Sequence, residues 1–320
     1  MTEPVAHAPR HASFFSAQKL ALFVLGCGVS VGILVWAWWS VDKTAVDQLW
    51  RAVPVWVWCV AALAWAMSFV LRALRLQQEW RWQRAVPWHA AMRLVLIHNA
   101  AVLLLPLRAG ELGYPLLVKQ TFGASWRDAL RSLLWLRLQD VVVLGFLAAL
   151  LWPGLPLWVR ALVLCCVALP FALPRRVWRW ALSRRFALVA QLRRLMHRRG
   201  SPAGWWLSAG NWVLKISVVG ALLQALWPAS LTEPARWGLG QALSAALGGE
   251  LAALIPVQGP AGLGTYEAGV WLLSGLPLAD APLMAVVALA VHVFCLVVSL
   301  ALAGVWSLGS AWVGLNGWKK

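Results

Sequence analysis

Leu103 to Lys119 reads LLLPLRAGELGYPLLVK, an apolar run broken at its centre by a proline, an arginine, a glycine and a glutamate. A second run of the same kind, Leu254 to Trp271, reads LIPVQGPAGLGTYEAGVW. In a water-soluble protein either would be an ordinary turn. The surroundings argue against water as the solvent, because the 320-residue chain is 62% hydrophobic and only 12% charged. Several apolar stretches reach the roughly 20 residues that cross a hydrocarbon core of about 30 Å. The expected fold is an all-α polytopic membrane protein in which both broken runs form helical hairpins.

Charge placement orders these segments. The first apolar stretch, Leu20 to Val41, follows a leader with Arg10 and Lys19; it ends in Trp36, Trp38 and Trp39 where a signal peptidase would need small residues, so it reads as an anchor. Further full spans are expected at Pro54–Leu71, Ala129–Trp152, Leu157–Leu173, Ala203–Leu226 and Leu283–Leu308, about six in all. With the leader inside, 21 of the 28 Lys and Arg fall on the cytoplasmic side, four outside and three within the membrane, the asymmetry expected of cytoplasmic loops. The resulting division is a cytoplasmic leader 1–19, a first membrane half 20–173, a basic cytoplasmic loop 174–202, a second membrane half 203–310 and a cytoplasmic tail 311–320.

The hairpins are too short to cross twice. The legs Ala90–Leu105 and Leu107–Val118 of the first hairpin, 90–118, would be roughly 24 and 18 Å long as helices. Basic residues flank it on both sides (Arg81 and Arg84 before, Lys119 and Arg127 after), so it is expected to enter and leave from the cytoplasm. The second hairpin, 239–276, leads to Asp280 in a weakly charged loop and is expected to enter from outside. Span, hairpin, span over residues 54–152 then recurs with opposite orientation over 203–308. Such an inverted repeat, with two discontinuous elements meeting at the midplane, points to a transporter binding site.

The net charge of +17 admits a nucleic-acid partner, but the bases are placed for lipid. Nine arginines between Arg175 and Arg199 share one loop without an acid, interleaved with Val177, Trp178, Trp180, Leu182, Phe186 and Leu188. This pattern suits an interfacial segment lying on anionic lipid head groups. The five cysteines all lie in apolar segments, are odd in number and lack a CxxC spacing, which argues against a disulfide or metal framework.

Seven charged residues fall inside spans or hairpins: Arg108, Arg137, Lys215, Glu111, Asp140, Glu250 and Glu267. Unpaired at helix centres they would cost on the order of 20 kcal/mol together, so they must pair or line a wet cavity. Arg108 and Glu111 read either as an ion pair closing the first turn, with Pro106 setting the break and Gly110 allowing close approach, or as a site where Arg108 holds a lipid phosphate. Arg137 and Asp140, three apart, can pair within one helix. Lys215 and Glu250 are candidates for each other or for the substrate path. Glu267 follows Gly262 and Gly264, which serve either tight packing or a site; Pro256 marks the second break. His98, Asn99 and His292 read as buried hydrogen-bonding residues. The sequence carries no signature of a metallopeptidase, a serine hydrolase elbow, a P-loop or clustered metal ligands, so no enzyme activity, cofactor or metal is expected.

Pro106-x-Arg108-x-Gly110-Glu111, then Arg137-x-x-Asp140, then Ile255-Pro256 with Gly262-x-Gly264-x-x-Glu267, resemble the flippase-like transmembrane domain of the lysylphosphatidylglycerol synthase family. Leu71-Arg72-Ala73-Leu74-Arg75 is similar to that family's arginine-containing helix end. The sequence departs from the pattern at Gln258-Gly259-Pro260 and at His292, where an arginine is frequent. The resemblance spans about residues 20–310. It implies a module that moves lipids between leaflets, without the soluble aminoacyltransferase domain, in a bacterial cytoplasmic (inner) membrane with both termini cytoplasmic. In that reading Arg108 holds a phosphate, and Glu111 and Glu267 balance it or meet a cationic head group. The alternative is a non-transporting accessory protein whose arginine loop docks a lipid-modifying enzyme or glycosyltransferase.

Overall fold

The computed structural model describes residues 17–41, 53–81, 83–172, 202–227, 237–255 and 258–317, together with Thr44 and Arg51. The leader before residue 17, the arginine-rich segment Arg175 to Arg199, Pro256 and the last three residues lie outside the described residues, as do the side chains of Pro106 and Arg108. Ten α-helices follow in order, with no strand among the described residues: α1 (Ala17–Ser40), α2 (Val55–Trp80), α3 (Trp88–Leu104), α4 (Gly113–Phe122), α5 (Trp126–Leu151), α6 (Leu157–Ala172), α7 (Pro202–Leu226), α8 (Leu239–Ala252), α9 (Thr265–Ser274) and α10 (Ala281–Gly317). Four segments are long and apolar enough to cross a membrane, namely α2, α5, α7 and Leu278–Gly309, which covers most of α10. Shorter apolar stretches lie in α1 and α6. Large side chains such as Trp39, Val55, Leu63 and Leu157 point outward and are exposed, as they should be where lipid is the solvent. The protein is an integral membrane protein.

Local chemistry sets the helix ends. Pro106 forces Leu105 into extended backbone (φ −90°, ψ 134°), which stops α3; the chain continues as a 3-10 turn, Pro106–Leu112, into α4. At the start of α5 the Ser125 hydroxyl accepts from the Asp128 N–H, and Asp128 adds a negative charge to the first turn. One expected boundary is corrected: α2 does not end at Leu71 but continues to Trp80 through Leu74, Arg75, Leu76 and Gln77, all good helix formers. Arg72 and Arg75, assigned by their charge to a cytoplasmic loop, are part of the helix, and Arg75 is buried.

Both broken runs are helical hairpins. At 1.5 Å per residue, α3 and α4 measure about 26 and 15 Å, and α8 and α9 about 21 and 15 Å, so no leg matches the hydrocarbon thickness. In each hairpin the legs pack on one another, and the two connecting turns, Pro106–Leu112 and Pro260–Gly262, touch.

Packing between the two halves of the chain is reciprocal. With α1, α2, α3/α4 and α5 as one unit and α6, α7, α8/α9 and α10 as the second, α3 packs on α10 and α8 on α5. Likewise α1 packs on α10 and α6 on α5, α5 on α7 and α10 on α2, while the equivalent helices α2 and α7 pack directly on each other. The α2–α7 contact is antiparallel, since Arg75 meets Ser208, Leu71 meets Gly210 and Trp65 meets Lys215.

The α8–α9 hairpin depends on missing side chains. A Cβ on Gly248 would overlap the Gly269 carbonyl, and one on Gly269 would overlap Gly248 and Ala252, whereas Gly240 in the same helix faces open space. Interiors this dense do not absorb an extra methyl without backbone shifts. Gly248→Val is expected to lower the melting temperature in detergent by several degrees while Gly240→Ala leaves it within a degree or two; equal melting of the two variants would disprove the close approach.

Candidate functional site

Six charged residues of the membrane helices gather around one cavity of about 180 Å³. Its polar lining is Arg72 and Arg75 from α2, His98 and Asn99 from α3, Tyr114 from α4, Arg137 and Asp140 from α5, Asn211 and Lys215 from α7, and Glu250 from α8. Both halves of the chain contribute to it.

Asp140 is the hub. Its carboxylate accepts from Arg75 at 2.6 Å, the Trp212 indole at 2.9 Å, Ser208 at 3.2 Å and Arg137 at 3.3 Å. Arg75 in turn donates to Ser208 and to the Leu136 carbonyl, both at 2.9 Å. Three donors meet one carboxylate oxygen and Arg137 meets the other, and such pairing is the condition for keeping these charges out of water. The network fastens α2, α5 and α7 together.

Arg137 forms the next link. Its guanidinium grips Glu111 in a fork, Nη2 to Oε1 at 2.5 Å and Nε to Oε2 at 3.2 Å, tying the first hairpin's turn to α5. His98 Nε2 lies 3.7 Å from the same glutamate. The Arg137 side chain is 36% exposed against 7% for Arg75, so Arg137 is accessible while Arg75 is walled in. Arg72, one turn from Arg75, donates to Asn99 Oδ1 at 2.9 Å and lies over the Phe69 ring. Among the described residues it has no carboxylate partner.

At the opposite end of the cavity Lys215 Nζ sits 2.9 Å from Glu250, and the Trp65 and Trp212 rings face it at 5.0 and 4.7 Å. The reading that Lys215 and Glu250 could be partners therefore describes their geometry.

Glu267 stands apart. It is fully buried, accepts from the Gly264 N–H at 2.5 Å at the start of α9, and meets His292 Nδ1 at 2.8 Å, with Tyr266 stacked on the imidazole at 4.1 Å. It does not line the cavity. Gly264, at φ +82°, holds a backbone shape that favours glycine and abuts Ser30 of α1. Glu267 is thus seated as a helix cap and a tie to α10. Arg137 and His292 are each the twelfth residue of their helix, and each takes the glutamate of the hairpin that precedes that helix.

Of the expected site residues, the structure brings Arg137, Asp140, Lys215 and Glu250 to one cavity and joins Glu111 to it through Arg137. The Arg108 side chain lies outside the described residues. Sequence reasoning missed Arg72, Arg75, Ser208 and Trp212. The signal for the first two was the unbroken helix-forming run after Leu71, which positive charge had disguised as a loop.

The family profile described as Lysylphosphatidylglycerol synthase TM region matches residues 23–303. The chain belongs to this family. The match takes in all of α2 to α9, and with them every cavity-lining residue. The comparison with curated proteins returns no match. Membership fits the bundle seen here, in which the motif residues Glu111, Arg137 and Asp140 form one continuous network.

Removing one member of a buried charge network leaves its partners unpaired, at a cost of about 3–5 kcal/mol. Asp140→Ala, which strands Arg75 and leaves Arg137 with Glu111 alone, is expected to lower unfolding stability in detergent by that amount. The double substitution Arg75→Met with Asp140→Leu should recover a large part of the loss. A single variant as stable as the parent would contradict the hub role of Asp140.

Proposed function

We propose that this protein carries a phospholipid or lipid-linked phosphate between the two leaflets of the membrane. The observation that carries the reading is the charge-lined cavity inside a bundle of apolar helices, framed by both repeats. Ionisable groups within membrane helices are costly, and where they surround a hollow they mark a substrate path. Tails of a lipid can remain in the bilayer while its head group enters the cavity. Arg72, without a carboxylate of its own, and the partly exposed Arg137 are the groups placed to hold a phosphate, for which a planar guanidinium is suited.

The repeat supplies the means of movement. Each half holds two helices long enough to cross, one shorter apolar helix (α1 or α6) and one hairpin; if all three helices cross, an odd number of crossings turns the second half over relative to the first. The reciprocal packing of α3 on α10 and α8 on α5 supports two halves related by a two-fold axis in the membrane plane. Rocking of one half against the other about α2 and α7 would open the cavity to alternate faces. The hairpins then dip from opposite faces, and the charge asymmetry of the sequence supports a cytoplasmic entry for the first.

Proteoliposomes holding a tail-labelled anionic phospholipid test the proposal by the rate at which label leaves the leaflet where it was placed. The expected result is protein-dependent movement that falls at least about tenfold in Arg72→Ala and in Arg137→Ala, the loss of a single ~1.4 kcal/mol interaction or more. Unchanged melting of Arg72→Ala would separate this loss from misfolding. Label that stays on its original leaflet, or an Arg72→Ala protein as fast as the parent, would overturn the assignment.

A further inference from the structure

Asp140, Glu111 and Glu250 are each held by an arginine or a lysine. Glu267, outside the cavity, is held by a histidine: its Oε1 lies 2.8 Å from His292 Nδ1, and its Oε2 accepts from the Gly264 N–H. The difference matters because an imidazole gains and loses its charge near neutral pH, whereas a guanidinium keeps its own. With one proton shared between them, Glu267 and His292 are neutral as a pair. Without it they amount to a single negative charge inside an apolar bundle, a state that membrane helices hold only at a cost.

We propose that Glu267 and His292 form a binding site for one proton, filled and emptied once per cycle, so that lipid movement is coupled to a proton gradient. What the proton drives rests on the translocation reading; the site itself does not.

The geometry gives the proton one way in. The Glu267 side chain is 0% exposed and that of His292 is 9% exposed, so a proton reaches the carboxylate through the imidazole. His292 is the twelfth residue of α10, about 17 Å along the helix from its start and so near the middle of a hydrocarbon core of about 30 Å. Tyr266 stacks on one face of the ring at 4.1 Å and fixes its plane. The Cε1 edge faces the bare Cα of Gly262, in the turn of the second hairpin, where a Cβ would stand 3.9 Å away.

No fixed cation competes for the acid. Among the described residues no arginine or lysine contacts Glu267 or His292. Glu250 of α8 and Cys295 of α10 act on the Tyr266 phenol, and Glu250 is already held by Lys215 of α7. The face of α1 brings Ser30, α2 meets α10 through Trp58 and Trp65, and His98 of α3 faces Tyr114 and Glu111 instead. Asp280 sits at the start of α10, far from the pair.

The site is joined to the cavity by packed contacts. The turn that holds Gly262 touches the turn that holds Glu111, and Arg137 ties Glu111 to Asp140. In the first half the tie between hairpin and helix is an arginine and stays neutral with its acid. In the second it is neutral only while the proton is bound. Release therefore loosens α9 from α10 and frees one half to move against the other; reloading from the opposite face restores the tie.

The test follows a tail-labelled anionic phospholipid in proteoliposomes with and without an imposed pH difference, the electrical potential being clamped with potassium and valinomycin. The parent protein is expected to move label at least about tenfold faster with the gradient, and a trapped pH dye should report protons crossing with the lipid. His292→Arg installs the first half's fixed cation, and Glu267→Gln keeps an acceptor for the Gly264 N–H without the charge. Each should move lipid at a rate that the gradient does not change. A parent rate indifferent to the gradient, or a His292→Arg protein as responsive as the parent, overturns the coupling. Hydrogen exchange of α9 in detergent tests the site without transport. Because the packed pair holds the proton, protection of α9 should be greatest at acid pH and fall by at least about tenfold from roughly pH 5 to 8, after correction for intrinsic exchange, while His292→Arg stays level. Level protection in the parent overturns the site, whether or not any variant moves lipid. Protection that responds to pH with no movement of lipid would sink the translocation reading and leave the proton site standing; lipid movement beside level protection would do the opposite.

Discussion

A guanidinium held among membrane helices has to find all its acceptors inside the protein, and the rest of this structure depends on how Arg75 does so. Its five N–H groups cannot shed their charge and have no bulk water to turn to. Asp140, Ser208 and the Leu136 carbonyl accept three hydrogen bonds from them, from α5 and α7. Those contacts draw together helices that lipid alone would not, since apolar helices gain little from leaving one apolar medium for another. The same contacts hold Arg137 on the far side of Asp140, free to reach forward to Glu111 and fix the first hairpin. A cavity is left over where these polar groups keep the apolar side chains from closing.

The two halves use one device with different parts. In the first, the hairpin glutamate Glu111 is bound by Arg137; in the second, Glu267 is bound by His292 from the equivalent place in the last helix. Arginine keeps its charge and projects far enough to share itself with Asp140 and the cavity. Histidine is shorter, stacks flat on Tyr266, and seals its glutamate away from the hollow. The halves therefore have unequal roles: the first hairpin borders the charged cavity, and the second packs tightly at Gly248 and Gly269 and lends the site Glu250 as its one charged residue, beside Ala253 and Leu254.

Much of this was legible before any coordinates. The broken runs, the short legs and the helical class could be read from apolar length, proline position and charge placement, the family from the resemblance of its motifs around Glu111, Asp140 and Glu267, and the pairing of Arg137 with Asp140 from their three-residue spacing. What the sequence could not show was which charges meet across helices. Arg72 and Arg75 looked like loop residues because a positive-inside rule counts charge and not burial. Glu267 looked like a site residue because its motif resembles that of Glu111, yet a histidine in place of an arginine at position 292 changes what the glutamate faces. Trp65 and Trp212, two of 25 tryptophans, gave no sign of their place around Lys215, because aromatic residues are so common here that none stands out.

The account places the charged cavity within the thickness of the bilayer, with a hairpin dipping toward it from each side. Labelling of single cysteines by a membrane-impermeant maleimide, in sided vesicles and on a background free of native cysteines, measures this directly. Cysteines replacing His89 and Arg127, exposed residues flanking the first hairpin, should both react only from the cytoplasmic face, and one replacing the exposed Ala279, beyond the second hairpin, only from the opposite face. Reaction of positions 89 and 127 from different faces would make the first hairpin a crossing, and the paired geometry of the two halves would not hold.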